Sequence, residues 1–224
     1  MMRLGNNGRV AAPAAAFSLV EMLTVIAIIA IIAAIVLGVM PGVMQKKTMA
    51  RVQTELTQLQ AAIEYYKEKH GFYPPDNPTN AAQAPLFYEL IGSRVEQRPG
   101  GTLYFPLNNE PRMVSTLISN VFGGAINGYN GFLNSADDAG EVKNFYPTIR
   151  RTQYQGHPDN TNVMFLVVPA KGPGETNYNP WRYVVAKASA GANESYPTNN
   201  PGSFDLWAEV GYGGRTNKIG NWKK

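Results

Sequence analysis

The stretch from Phe17 to Met40, FSLVEMLTVIAIIAIIAAIVLGVM, constrains this chain more than any other feature. From Met22 to Met40 there are 19 consecutive residues without a charge, and Thr24 is the one strongly polar side chain among them. Coiled as an α-helix, 24 residues span roughly 36 Å, enough to cross a hydrocarbon core of about 30 Å. A helix apolar on every face does not suit the one-sided burial of a soluble surface helix, so the segment is read as a membrane span. Before it lies MMRLGNNGRVAAPAAA, with Arg3, Arg9 and no acidic residue. That positive charge places the N-terminus on the cytoplasmic side.

The order of parts matters as much as their composition. An ordinary secretory signal carries its small-residue cleavage site after the apolar run. Here Ala14-Ala15-Ala16 precedes it, so a cut at that point keeps the helix in the mature protein. Glu21, the only charge between Arg9 and Lys46, sits just inside the apolar run. The plain reading is a carboxylate about 6 Å from the helix start that reaches the headgroups. An acid within a spanning segment is nonetheless costly enough to be a functional candidate by default.

Ala16-Phe17-Ser18-Leu19-Val20-Glu21-Met22 resembles the cleavage and methylation signature of type IV prepilins and type II secretion pseudopilins. The resemblance implies that a prepilin peptidase cuts between Ala16 and Phe17 and methylates the new Phe17 amine. It also implies that Glu21 stays in the mature chain and pairs with a neighbouring subunit's Phe17 amine during assembly. Alanine at position 16 departs from the family's usual glycine.

Beyond the span, Gly38 and Pro41-Gly42 weaken the helix, since proline removes a backbone donor, and Lys46, Lys47 and Arg51 mark a headgroup boundary. Met49, Val52, Leu56, Leu59, Ile63 and Tyr66 then recur by threes and fours, a helical stripe. His70 reads as a helix-end cation, Gly71 as a C-cap, and Pro74-Pro75 as the stop. Residues 17–70 thus make one helix of about 80 Å, half membrane span and half spine. The chain is divided into a leader (1–16), a transmembrane half-helix (17–40), an amphipathic spine (41–70), a loop-rich insertion (71–160) and a C-terminal β region (161–224). The resulting fold class is α+β, pilin-like, with the spine packed on a small antiparallel sheet.

Strands are expected at Val163–Val168, Tyr183–Ala186 and Phe204–Val210. Leu86–Ile91 and Met113–Phe122 read as short helices and Gly123–Gly140 as loop. Asn179-Pro180-Trp181, Tyr183, Phe204-Asp205-Leu206-Trp207 and Ile219-Gly220-Asn221-Trp222 follow the order seen in the major pseudopilin of type II secretion. That family often binds calcium between the last two motifs. Its ligand positions fall here on Ala208, Tyr212 and Lys218, so calcium is not expected and no cofactor is assigned; either a Lys218–Glu209 ion pair takes the ion's place or the loop is flexible with Lys218 in solvent.

The absence of cysteine excludes a disulfide framework, thiolate zinc sites and cysteine nucleophiles. With 20 cations against 16 anions and no basic stretch interleaved with aromatics, nucleic acid is not an expected partner. No nucleophile elbow, phosphate loop, His-Glu-x-x-His or dinucleotide fingerprint occurs. Asp137-Asp138 read as a solvated turn and Asp205 as a polar position on a half-exposed strand, so an enzyme is not expected. The 12 tyrosines read as core and loop packing.

The leading expectation is a structural subunit of a type II secretion pseudopilus, single-pass in the inner membrane with its C-terminal domain periplasmic. Its implied partners are copies of itself, minor pseudopilins, the prepilin peptidase and an inner-membrane assembly platform. A type IV pilin or minor pilin is the nearest alternative, and a monomeric membrane-anchored ligand-binding module is a third.

Overall fold

The computed structural model describes residues 17–123, 131–186 and 199–222, except the side chains of 39–41 and 119. Ala16 and the rest of the expected leader lie outside these residues, as does part of the expected loop at 123–140. The fold is α+β. Two compact units divide it, one ending at Met44 and one from Gln45 to Lys224, and the first helix contributes to both.

That helix, α1, runs Leu19–His70 and is unbroken at Gly38, Pro41 and Gly42. A proline inside a long helix removes one hydrogen bond while the turns on either side keep theirs. Among the described residues, α1 is the one helix long and apolar enough to cross a membrane, and its apolar window is wholly unburied. Leu23, Ile26, Ile29, Ile32 and Val36 are all exposed. Further along, Val52, Leu56, Leu59, Ile63 and Tyr66 are buried while Gln53 and Thr57 face solvent. The 3.6-residue repeat places that stripe on one face, and each large apolar side chain so buried contributes about 1.5–3 kcal/mol. The helix closes where the Gly71 N–H donates to Lys67 O at 2.8 Å.

After α1 come α2 (Leu86–Ile91), β1 (Ser93–Arg98), β2 (Gly101–Pro106), β3 (Met113–Val114), α3 (Ser115–Val121) and β4 (Ser135–Ala136). Then follow β5 (Tyr154–His157), β6 (Asn160–Leu166), β7 (Arg182–Val185), β8 (Phe204–Tyr212) and β9 (Arg215–Gly220). Three sheets result: β3-β2-β1-β4, with β1 and β4 parallel; β5-β6; and the antiparallel β7-β8-β9. The α1 stripe, α2, Val163 and Phe165 of β6, Tyr183 of β7 and Leu206 of β8 share one apolar core.

Within 71–160, read as loop-rich, lies the four-stranded sheet β3-β2-β1-β4. β1 is SRVEQR, in which only Val95 is apolar, so no hydrophobic alternation announces it. Its period-2 signal is carried by charge instead. Glu96 lies between Arg94 and Arg98, accepting from both at 2.6 Å. Likewise, Met113–Phe122 is not one helix: Met113 and Val114 pair with β2 before α3 begins. The strand expected at Val163–Val168 begins earlier and ends at Leu166, and Val167 makes an isolated bridge to Pro180.

Candidate assembly site at the head of the apolar helix

Phe17 is 76% exposed, and α1 begins two residues later. The start is built by Ser18 and Glu21, three residues apart, the spacing of a helix-capping pair. The Ser18 N–H donates to Glu21 Oε2 at 2.9 Å, and Ser18 Oγ accepts from the Val20 N–H at 3.3 Å. Thr24 Oγ1 donates to the Glu21 carbonyl at 2.9 Å. A carboxylate here also meets the positive end of the helix dipole. Glu21 therefore closes its own helix through one oxygen, a role its place in the apolar run had hidden. The Ser-x-x-Glu spacing was the available signal.

The C-terminal positions considered for calcium lie in β8 and β9, and the hairpin rearranges the question. β8 and β9 pair continuously from Trp207↔Gly220 to Tyr212↔Arg215. Gly213 and Gly214 alone connect them, at φ 55° and 73°. Two consecutive positive φ values make the tight turn whose twist matches paired strands, which glycine adopts without strain. The segment between the two motifs is thus paired strand and a two-residue turn. Ala208 is fully buried opposite Ile219, Tyr212 is 40% exposed at the turn, and Lys218 is a cation opposite Glu209. A hard cation needs several oxygen ligands, usually with carboxylates among them. These three positions do not fit it.

A charge cluster sits there instead. Arg182 Nη2 lies 3.2 Å from Glu209 Oε2, and Lys218 Nζ lies 3.8 Å from Oε1 and 5.1 Å from the Trp207 ring centre. Trp207 Nε1 donates to the same Oε1 at 3.3 Å, and the Trp207 and Trp222 rings are 6.1 Å apart. Burial lowers the Arg182 guanidinium's pKa against the opposing pull of Glu209. The other motif residues have structural duties. Asn179 Nδ2 donates to Ala170 O and Glu209 O, and Asn221 bridges Leu206 N–H and Phe204 O.

Two expectations need correction. Asp205 is not half exposed: it is buried and accepts from the backbone and side-chain amides of Asn199 and Asn200 at 2.9–3.0 Å. It organises the chain entering β8. His70 is not a helix-end cation. Its ring packs among Tyr66, Phe72 and Phe145, and burial lowers its pKa, disfavouring the charged form. Asp137 and Asp138 do lie exposed in a turn, where Asp138 Oδ1 accepts from the Gly140 N–H.

Sequence reasoning passed over Glu89. It is the one carboxylate in LFYELI, and all six residues of that helix are buried. A single charge inside an apolar hexamer was the signal. No family model, no curated protein and no solved structure matches the chain.

Proposed function

We propose that the chain is a structural filament subunit of the type II secretion pseudopilin class, held in the inner membrane by α1 with its C-terminal domain in the periplasm. What supports this is a single helix whose first part is apolar and unburied on every face and whose last part buries a stripe in an α+β domain. Such a helix serves two environments in turn: lipid around the isolated subunit, and neighbouring helices in a bundle. In lipid there is no hydrophobic drive to bring apolar helices together, so packing and polar pairing must supply specificity. Glu21 supplies the polar element. One of its oxygens holds the Ser18 N–H, and the other is left to pair with the Phe17 amine of an adjacent copy. Pairing offsets the cost of a carboxylate among apolar side chains.

Cleavage between Ala16 and Phe17 creates that amine. Intact-mass analysis of protein extracted from membranes is expected to show a chain starting at Phe17, 208 residues long and carrying one methyl group. A mature terminus downstream of Met40 would refute the reading, because the helix would then have been discarded as a signal.

A further inference from the structure

Glu89 is fully buried, and its carboxylate accepts hydrogen bonds from two separate pieces of chain. From α1, Tyr66 OH donates to Oε2 at 2.9 Å. From the segment before β4, the Leu133 N–H donates to Oε1 at 2.8 Å and the Asn134 N–H to Oε2 at 3.0 Å. The Asn134 side chain then ties the Glu89 carbonyl to the Lys143 carbonyl, donating to each at 2.7 Å. The Phe145 N–H donates to Leu90 O at 2.7 Å. Gly92, directly after α2, has φ 81°, and any Cβ there would run into Val142 and Asn134. The segments at 132–134 and 142–145 therefore close tightly over this one acid.

The phenol that touches the carboxylate is Tyr66 of α1, and burial together with the Glu89 charge raises the pKa values of Tyr104 of β2 and Tyr183 of β7. Among the described residues, the hydrogen-bond partners of the carboxylate are all neutral donors. A buried acid without a cation is costly when charged. Burial pushes the Glu89 carboxyl up to about 7, while the Leu133 and Asn134 amides and the Tyr66 hydroxyl pull the other way. Burial in turn raises the Tyr66 phenol far above the physiological range, so it stays protonated. Of the three partners, only a hydroxyl can donate to the carboxylate and accept from the carboxylic acid. The site thus holds either protonation state with its heavy atoms in place.

We propose that Glu89 is a proton-controlled latch between the spine helix and the 132–134 segment, closed most firmly when its carboxyl is protonated and easier to open once it is ionised. The reason is linkage. In the open joint the acid is hydrated and ionises in the ordinary range, so opening releases a proton wherever the closed joint still holds one. The latch belongs to the folded domain alone and operates whether or not subunits assemble.

Hydrogen exchange on the full chain in detergent micelles reads the joint directly. With the intrinsic base-catalysed rate divided out, the Leu133 and Asn134 amides are expected to lose protection as pH rises from about 5 to about 7, by up to roughly tenfold per pH unit. Glu89→Gln is neutral at every pH and is expected to abolish that slope. The same pH dependence in wild type and E89Q would overturn the proposal. Infrared titration of the unsubstituted chain decides independently should E89Q not fold. A protonated-carboxyl stretch, assigned to Glu89 by its shift in Tyr66→Phe, should vanish near neutral pH. Its loss at about pH 4–5, where ordinary carboxylates titrate, would overturn the latch.

Discussion

Glu21 answers to two partners at the head of α1, and they can be separated. One is the Ser18 N–H of its own helix, 2.9 Å away; the other is the amine proposed on a neighbouring copy. A helix cap contributes about 0.5–2 kcal/mol, whereas removing one member of a buried ion pair costs on the order of 3–5 kcal/mol. Glu21→Gln keeps an oxygen for Ser18 and loses the charge; Glu21→Ala loses both. Both variants are expected to stay folded and membrane-embedded, and both to lose subunit-to-subunit crosslinks in native membranes to a similar degree. Wild-type crosslinking in E21Q alongside a defect in E21A would leave Glu21 only its capping role.

At the scale of the element, the β8–β9 hairpin carries its own order. The Gly213-Gly214 turn brings Glu209 opposite Lys218, and Arg182 reaches the same carboxylate from β7. The Lys218 side chain is half exposed, so its pair contributes only about 0–1 kcal/mol. Strand pairing and the Trp207–Trp222 contact supply most of the rest. Melting of the full chain in micelles is therefore expected to be the same with added calcium and with a chelator, and Lys218→Ala to cost less than about 1 kcal/mol. A large calcium-dependent rise in melting temperature would contradict the metal-free hairpin. A large loss in K218A alone would show only that the lysine is worth more than an exposed pair.

For the whole molecule, the buried carboxylates set the sign of the pH dependence. Burial raises both Glu89 and Glu55, the latter against the pull of Arg51. An acid whose pKa is higher in the folded state binds more protons there than when unfolded, so stability falls as pH rises from about 4.5 through the folded value. For Glu89 that window ends near 7, and the loss between pH 5 and pH 8 is on the order of 2–3 kcal/mol. Glu96 acts oppositely: its hydrogen bonds from Arg98 and Arg94 lower its pKa, so its contribution is lost only as pH falls below the ordinary carboxylate range. The full chain is thus expected to melt several degrees higher at pH 5 than at pH 8, with E89Q removing most of the difference. Equal melting at the two pH values would show that the buried acids do not govern the curve.

The features legible from the chain alone are those written within one or two turns or strands. The apolar run of α1, the stripe from Val52 to Tyr66, the helix Leu86–Ile91 and the strands around Tyr183 and Phe204 each announce themselves by a local period, and each is found. The Ser-x-x-Glu spacing at the head of α1 is equally local, though only the folded helix shows that Oε2 of Glu21 accepts from the Ser18 N–H. Tertiary structure alone decided the rest. β1 is a strand because β2, with no apolar alternation needed, folds back to pair with it, and β4 joins it through Ser93↔Ser135 and Arg94↔Ala136, far apart in sequence. The His70 pKa is lowered because its ring is packed against Phe72 and Phe145, and Asp205 is buried because Asn199 and Asn200 close over it. Glu89 is written as one acid in an apolar hexamer. Its titration depends on Tyr66, Leu133 and Asn134 arriving from distant parts of the chain, because desolvation and hydrogen bonding are properties of what surrounds a group, and its sequence neighbours do not supply them.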